Sequence, residues 1–294
     1  MTATTTPTPR ASGTTLPDHL RIAFIGGGNM ARSLIGGLVA AGHAPARITV
    51  SEPDAGQRER LAELGAIHIG ADNGVAAADA DIVVLAVKPQ VLGPVCSGLR
   101  PVLGRDGQLV VSIAAGVRLP SMADWLGPRA IVRCMPNTPA LLRAGITVLT
   151  GNAAVSAGQM ELARALLRAV GECEVVDDES LLDPVTAISG SGPAYFFLFM
   201  EALIAAGVAQ GLTPEQSRKL VVETALGAAR MAAETPSTLE ALRISVTSPK
   251  GTTERALQAF EQGDLRGLVA RAALAARDRS VELADELADE FSRG

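Results

Sequence analysis

Three consecutive glycines, Gly26–Gly28, separate a short apolar run from a long segment rich in small residues. The apolar run, Ile22–Ile25, predicts a buried strand, and Met30–Ala41 has helical character. The turn between them fits the pattern G-x-G-x-x-A, in which the first glycine permits a tight turn and the second lets an anion approach the backbone. Free N–H groups at the helix start favour negative charge. The turn therefore predicts a dinucleotide site, with a glycine-rich turn that binds no ligand as the alternative.

Apolar runs in the first 180 residues predict strands that alternate with helical segments. The predicted strands are Ile22–Ile25, Ile48–Val50, Asp81–Val87, Leu109–Ile113, Ile131–Cys134, Ile146–Leu149 and Cys173–Val176. Because these runs are continuous rather than alternating, both faces of each strand are expected to be buried, as in a parallel sheet covered by helices. The pattern predicts an α/β, doubly wound domain of the Rossmann type.

After residue 180 the strand patterns stop and helical patterns follow one another. The predicted helices are Ala194–Ala209, Pro214–Ala233, Thr238–Ser245, Thr252–Gln262 and Asp264–Glu290. Their apolar residues exceed what so small a domain buries alone, and exposed apolar surface usually marks a partner interface. The sequence predicts a disordered leader (residues 1–19), a Rossmann dinucleotide-binding domain (20–180) and an all-helical, self-associating domain (181–294).

Composition and charge argue against several classes of protein. The net charge is -5 and the basic residues form no run, so nucleic acid is not an expected partner. Cys96, Cys134 and Cys173 lie far apart, which disfavours disulfides and a zinc site and favours the reducing cytoplasm. The histidines show no metal-ligand spacing, so no metal is expected. The apolar window Pro193–Val208 is shorter than the roughly 20 residues of a membrane-spanning helix, and a core or interface helix is expected.

Two charged residues follow predicted strands, at the edge where such folds bind ligands. Glu52 follows the second strand, where an acidic residue binds the ribose hydroxyls of NAD and repels the extra phosphate of NADP. Lys88 follows Asp81–Val87, and lysine is rare in this chain. We interpret Lys88 as a candidate phosphate or ribose contact, with an ordinary surface charge as the alternative.

The segment Val246–Glu254, with the sequence VTSPKGTTE, is the most hydroxyl-rich helix start in the second half. Ser248-Pro249 disfavours helix, and a helix is predicted to open after Gly251. N–H groups and hydroxyl donors that converge at a helix start suit a small carboxylate. The alternative is that Thr252 or Thr253 merely caps its own helix. A second glycine-punctuated segment, ISGSGPAY at Ile188–Tyr195, predicts a flexible turn before an apolar helix.

Five segments occur in an order and at separations that identify a family. They are FIGGGNMA, VLAVKPQ, RCMPNTPALLRAG, DPVTAISGSGPAYFF and LRISVTSPKGTTERAL. Together they closely resemble the pyrroline-5-carboxylate reductase family, which acts in the last step of proline biosynthesis. The resemblance extends from Arg21 to the last predicted helix. The combination of SGSGPAY with TSPKGTT is more specific than the glycine turn.

The resemblance implies an enzyme that reduces L-1-pyrroline-5-carboxylate to L-proline with NADPH or NADH, as dimers that often assemble into decamers. It assigns the pyrophosphate to Ile25, Gly26, Gly27, Gly28, Asn29 and Met30, the adenosine side to Asn73, the cofactor path to Ala86, Val87, Lys88 and Pro89, and the nicotinamide side to Asn137. It assigns the substrate carboxylate and imine to Ser248, Gly251, Thr252 and Thr253, with Thr253 as the catalytic residue that hydrogen-bonds the ring nitrogen.

The residues of the helical half agree with imine reduction. Reducing a carbonyl requires a proton donor, usually His or Lys; this half contains no histidine, although Lys219 or Lys250 could serve as the acid or base. A cyclic imine enters already protonated, so hydroxyls and positioning suffice. The alternatives are another enzyme of this architecture, such as a β-hydroxyacid dehydrogenase or a different imine reductase, and a nucleotide-binding sensor that transfers no hydride. The TSPKGTT loop disfavours both.

Two positions depart from the family pattern. Lys250 stands where many relatives have glycine, so the loop has less backbone freedom. Glu52 stands where relatives that prefer NADPH often have a small hydroxyl residue, although Arg58 or Arg60 is close enough in sequence to compensate. We therefore expect NADH to compete well with NADPH.

Overall fold

The computed structural model describes residues 16–292, and these residues form two compact units. One unit runs to Val185 and includes the chain from Ser280 onward, and the other is Thr186–Arg279. The first unit contains an eight-stranded sheet in the order β3-β2-β1-β4-β5-β6-β7-β8. The second is helical. The predicted fold class, a Rossmann-type domain followed by a helical domain, is confirmed.

The strands are β1 (Ile22–Ile25), β2 (Ile48–Ser51), β3 (His68–Gly70), β4 (Ile82–Leu85), β5 (Leu109–Ser112), β6 (Ala130–Met135), β7 (Gly145–Gly151) and β8 (Gly171–Val175). The α-helices of the sheet unit are α1 (Asn29–Ala40), α2 (Ala55–Ala62), α3 (Asn73–Ala77), α4 (Pro89–Leu99), α5 (Leu119–Leu126), α6 (Ala157–Leu167) and α7 (Leu182–Val185). The remaining helices are α8 (Gly192–Ala209), α9 (Pro214–Glu234), α10 (Leu239–Ser245), α11 (Thr252–Gln262) and α12 (Leu265–Ser292).

The sheet is buried on both faces, as its continuous apolar strands predict. Every residue of β1, β4 and β5 is buried. Ile22 and Phe24 point into one apolar cluster and Ala23 and Ile25 into a second. Because successive side chains of a strand point to opposite faces, these two clusters lie on the two faces of one sheet. Strands β1, β2, β4 and β5 pair in parallel, so their carboxyl ends lie at one common edge of the sheet.

The sheet differs from the sequence prediction at two strands. Strand β3 was not predicted, because it has three residues at the sheet edge and its two outer residues are exposed. Strand β7 runs antiparallel to β6, whereas the other neighbouring pairs are parallel. The connection from β6 to β7 holds only a short 3₁₀ helix, Thr138–Leu142, which is too short for the crossover that a parallel pair needs.

The last part of α12 belongs to the sheet unit, although the sequence prediction placed residues 181–294 in one helical domain. The Ser280 hydroxyl donates to Asp183 Oδ1 at 2.7 Å. Further along, Asp285 pairs with Arg118 at 2.8 Å, and Phe291 meets Trp125 edge-on with ring centroids 4.7 Å apart. These contacts bind the chain from Ser280 onward to the sheet unit.

Residues 1–15 of the predicted leader (residues 1–19) lie outside the described residues. Leu16, within the predicted leader, is buried and joins the apolar cluster on one sheet face. The packed core therefore includes a residue that precedes the predicted domain start at residue 20.

Helix α8 carries large apolar side chains on every side. Phe196, Phe197 and Leu198 are 67%, 59% and 67% exposed. The helical stretch Glu179–Ala209, which includes a bend at Ser191, has 31 residues and is, by length and composition alone, able to cross a membrane. The apolar window Pro193–Val208, from which a core or interface helix is expected, lies within this stretch. One such helix is weak support for a membrane span, and the same composition suits an interface between protein chains.

The imidazole of His43 gives the sheet unit a testable pH dependence. His43 is buried just after α1, and this burial lowers its pKa, helped by the nearby Arg47 charge and opposed by a backbone group of Leu20 and the Asp18 carboxylate. As the pH falls below about 6.5, the unfolded chain takes up this proton before the folded chain does. Stability is therefore complete above that pH and decreases as the pH falls through the folded pKa.

We expect His43→Leu to flatten the pH dependence of the free energy of unfolding, measured from urea transitions between neutral and mildly acidic pH. His19→Leu removes an exposed histidine and is the matched control. An equal slope in the wild-type protein and His43→Leu would show that His43 does not carry this dependence.

Candidate functional site

The glycine turn lies between the carboxyl ends of β1, β2 and β4. Gly26 has φ +98°, and its N–H donates to Ser51 O at 2.8 Å. A Cβ at Gly26 would stand 2.7 Å from Ala86 O, and one at Gly27 would stand 2.5 Å from a methyl of Leu61. The backbone therefore requires glycine at position 26, whereas a Cβ at position 27 would have to displace the buried Leu61 side chain. Gly28 differs, because no atom lies within 4 Å of its Cβ position.

The open space at Gly28 adjoins the start of α1. Gly28 is the N-cap of α1, and the described residues give it no side-chain cap and no acidic residue in the first turn. The first N–H groups of the helix and its positive dipole end are thus available to an anion. This donor set and the absence of a Cβ fit a dinucleotide pyrophosphate.

Glu52 is bonded to the glycine turn. Its Oε2 accepts from Gly27 N at 2.7 Å, and its Oε1 accepts from Asp54 N at 2.9 Å. Arg58 Nη1 donates to the carbonyls of Glu52 and Pro53 at 2.8 and 2.7 Å. The end of β2 therefore holds a fixed carboxylate and a fixed guanidinium side by side.

Asn73 begins α3 and lies beside the end of β2. Its Oδ1 accepts from the Ser51 hydroxyl at 2.7 Å, and Ser51 is fully buried. Asp72 caps α3 by accepting from Val75 N at 2.9 Å, which fixes the helix start. The predicted adenosine-side residues, Glu52 and Asn73, are thus brought to one corner of the sheet.

Residues 86–89 cross the carboxyl edge directly after β4. Ala86 N donates to Ile25 O at 2.8 Å, which holds this segment against the glycine turn. Lys88 is the N-cap of α4, Pro89 follows at its first turn, and the Lys88 side chain is exposed. The structure therefore places Ala86 and Val87 next to Gly26, with Lys88 and Pro89 following them in the chain.

Asn137 follows β6 and has a structural partner. Its Oδ1 accepts from Ile146 N at 3.0 Å, so it bridges the connection between β6 and β7. Because β6 is parallel to β5, Asn137 lies at the carboxyl edge of the sheet. Its role toward a nicotinamide stays a prediction.

The TSPKGTT loop lies in the helical unit. Gly251 N donates to Ser248 O at 3.0 Å, which closes a turn, and Lys250 within that turn has φ +61°. Gly251 is the N-cap of α11 without a side-chain cap, so neither Thr252 nor Thr253 closes its own helix. This arrangement excludes the capping alternative, because both hydroxyls follow the N-cap.

The SGSGPAY segment is helical rather than the flexible turn that its glycines predict. Residues Thr186–Gly190 form a π-helix, in which Ser191 N donates to Thr186 O at 2.8 Å. Helix α8 then begins at Gly192. Short π-helical segments often occur at functional sites, because they widen the helix and redirect side chains.

The three thiols are poor nucleophiles. Burial raises the pKa of Cys96 and of Cys173 to about 12, and raises that of Cys134 well above its ordinary value. Within residues 16–292 no group of three His, Cys, Asp or Glu side chains is arranged to hold a metal ion.

Sequence reasoning missed one residue of this loop. Glu254 Oε2 accepts from Lys250 N at 2.7 Å, which joins the loop to the first turn of α11. An acidic residue at the third position of a helix is a known signal for a bond back to the chain before the helix. That signal is present in the sequence GTTE, Gly251–Glu254.

Two family models match the chain. Residues 179–283 match "Pyrroline-5-carboxylate reductase dimerisation", and residues 21–116 match "NADP oxidoreductase coenzyme F420-dependent". The first match contains the TSPKGTT loop, and the second contains the glycine turn. Each match therefore covers candidate residues of one of the two units.

Curated relatives match over nearly their whole length. The pyrroline-5-carboxylate reductase of Pseudomonas aeruginosa is 53% identical over 268 residues, covering 91% of this chain and 98% of the relative. The Escherichia coli K12 enzyme of the same name is 39% identical, with 90% and 98% covered.

Solved structures show the same similarity. A pyrroline-5-carboxylate reductase from Coxiella burnetii has a TM-score of 0.87 at 46% identity, covering 90% of this chain and 98% of that one. Plasmodium falciparum pyrroline carboxylate reductase, solved with NADP bound, has a TM-score of 0.79 at 29% identity, with 91% and 99% covered.

Proposed function

The chain belongs to the pyrroline-5-carboxylate reductase family, and from this premise we infer that it reduces L-1-pyrroline-5-carboxylate to L-proline with NADPH or NADH. The observation that carries this inference is the 53% identity with the Pseudomonas aeruginosa enzyme over 91% of the chain. The chain is thus an oxidoreductase that acts on a carbon–nitrogen bond with a nicotinamide cofactor.

The cofactor is proposed to bind along the carboxyl edge of the sheet. The backbone from Ile25 to Met30 holds the pyrophosphate, because Gly28 leaves room for it and the start of α1 supplies N–H donors. Glu52 and Asn73 flank the adenosine ribose, and residues 86–89 with Asn137 line the path toward the nicotinamide. When bound, the reduced nicotinamide supplies the hydride.

The substrate is proposed to bind at the TSPKGTT loop. The Ser248 hydroxyl and the N–H groups of Gly251 and Thr252 hold the carboxylate at the start of α11, where the helix dipole favours negative charge. The Thr253 hydroxyl oxygen accepts a hydrogen bond from the protonated ring nitrogen. Two anchors orient the ring, and orientation is a large part of the rate gain in hydride transfer.

The proton balance needs no side-chain acid. The imine nitrogen arrives protonated, the hydride adds to the imine carbon, and the electron pair of the C=N bond becomes the nitrogen lone pair of the neutral amine. One imine, one proton and one reduced cofactor give one proline and one oxidised cofactor. Thr253 holds the nitrogen during this change without itself losing a proton.

The helical unit is proposed to pair with that of a second copy. Residues 179–283 match a dimerisation family, and the exposed apolar side chains of α8 are the surface that such pairing would bury. We propose a decamer of five dimers as the larger assembly, and the molar mass measured by light scattering tests it. We also propose a cytoplasmic location without nucleic-acid or membrane partners, supported by the net charge of -5 and three free cysteines.

The test of the function follows the loss of reduced-nicotinamide absorbance when purified protein meets pyrroline-5-carboxylate and either cofactor. Thr253→Ala is expected to lower kcat/KM about 10- to 100-fold, because a hydrogen bond to a charged group contributes about 1.5–3 kcal/mol. Thr235→Ala, an exposed threonine outside the loop, is the matched control and is expected to retain full activity. Absence of oxidation by a wild-type protein that binds both cofactors would contradict the proposed function.

A further inference from the structure

The backbone of the TSPKGTT loop is held in a conformation that its own residue disfavours. Lys250 has φ +61°, a left-handed conformation in which a Cβ approaches the following carbonyl oxygen. Glycine adopts this conformation freely, but this chain has lysine. An interaction at this residue therefore stabilises the turn in this shape.

Glu254 supplies an interaction at that residue. Its Oε2 accepts from Lys250 N at 2.7 Å, across the start of α11. The neighbouring bond from Gly251 N to Ser248 O, 3.0 Å long, closes the same turn from the other side. Glu254 is half-buried and Lys250 is exposed, so this bond lies at the protein surface. The left-handed residue is thus tied to the first turn of the helix that carries Thr252 and Thr253.

We propose that Glu254 is a positioning residue that holds the left-handed turn at Lys250 and so keeps Ser248, Thr252 and Thr253 in their substrate-binding arrangement. This inference rests on the proposed function, because it concerns the loop to which we assign the substrate carboxylate. Glu254 acts through the backbone of the loop and does not itself touch the substrate.

The charge of Glu254 and its hydrogen bond have opposite effects on binding of the substrate carboxylate. A carboxylate at this helix start repels the substrate carboxylate, while its bond to Lys250 N shapes the receptor for that same group. The Lys250 ammonium, on an exposed side chain of the same turn, offsets part of this negative charge. A substitution that retains the acceptor and removes the charge therefore separates the two effects.

A purely structural role for Glu254 makes a different prediction. An acidic residue in the first turn stabilises any helix through the helix dipole, and Glu240 does this in α10. If Glu254 did no more, its loss would lower thermal stability and leave the KM for pyrroline-5-carboxylate unchanged. Glu240→Ala is the matched control, because it removes an acidic residue from the first turn of a helix in the same unit.

The test compares four variants by steady-state kinetics and by thermal unfolding of the full-length protein. Glu254→Ala is expected to raise the KM for pyrroline-5-carboxylate about 5- to 10-fold, the usual effect of one lost hydrogen bond, with kcat and the KM for NADPH within about 2-fold of wild type. Glu254→Gln is expected to have a KM at or below that of wild type, because the amide oxygen still accepts from Lys250 N and the charge is gone. Glu240→Ala is expected to leave KM unchanged.

The fourth variant, Lys250→Gly with Glu254→Ala, tests the backbone argument directly. Glycine needs no external bond to remain left-handed, so its KM is expected to return to within about 2-fold of wild type. This double variant also serves if Glu254→Ala alone fails to fold. A wild-type KM in Glu254→Ala, an equal rise in Glu254→Gln, or no recovery in the double variant would overturn the inference. Failure of the proposed function is distinct, because the wild-type protein itself would then not reduce pyrroline-5-carboxylate.

Discussion

Gly26→Ala is expected to weaken NADPH binding by about 100-fold or more and to lower the thermal unfolding temperature. The added Cβ would lie 2.7 Å from the backbone oxygen of Ala86, and the residue has φ +98°. The backbone oxygen cannot rotate away as a side chain can, so the turn itself must shift and displace the start of α1. Calorimetric titration with NADPH and thermal unfolding measure the two effects.

Gly28→Ala is the matched variant that separates ligand binding from folding. No atom lies within 4 Å of its Cβ position, and its φ of -65° and ψ of -178° suit any residue. We expect an unfolding temperature close to that of wild type but NADPH binding weakened about 10- to 100-fold, because the methyl group would occupy the space proposed for the pyrophosphate. Wild-type affinity in Gly28→Ala would show that the cofactor does not approach this turn.

Glu52→Gln is expected to shift the ratio of kcat/KM values about 10-fold toward NADPH, from a wild-type enzyme in which NADH competes well. The Glu52 carboxylate accepts two backbone N–H groups, from Gly27 and Asp54, at 2.7 and 2.9 Å. These bonds prevent it from turning away from a 2′-phosphate at the end of β2, so the like charges repel. A wild-type preference for NADPH of more than about 100-fold would contradict this account.

Arg58→Gln is the companion variant and is expected to shift the ratio the other way. Its guanidinium is held by the carbonyls of Glu52 and Pro53, and it offsets the charge of Glu52 for a 2′-phosphate. Binding of 2′,5′-ADP compared with 5′-AMP, measured by calorimetry, tests both variants without turnover. Equal changes for the two nucleotides would show that neither residue distinguishes the 2′-phosphate.

Local patterns predicted the elements that depend on neighbouring residues. The continuous apolar runs marked the strands buried on both faces, and the glycines marked the turn at Gly26 because a residue with φ +98° requires glycine. Helix α9 begins at Pro214 after the cap Thr213, and α11 spans Thr252–Gln262, as their sequences predict. Each of these patterns involves only residues a few positions apart, so the sequence alone is enough to predict the element.

Contacts between distant residues decided the rest. The edge strand β3 and the antiparallel β7 depend on the partners that the sheet offers them, and the end of α12 joins the sheet unit through Ser280 and Phe291. The Glu52 carboxylate accepts a hydrogen bond from Gly27 N, 25 positions away along the chain, and no local sequence pattern predicts such a bond.

The candidate site divides in the same way. The sequence by itself determined which residues are present at the two loops, because glycine, hydroxyl and proline patterns are local and the family motifs contain them. Only the tertiary structure decided that Gly28 faces open space, that Lys250 is left-handed and that Glu254 is bonded to it. A side-chain type states what bonds are possible, whereas the folded backbone selects which of them form.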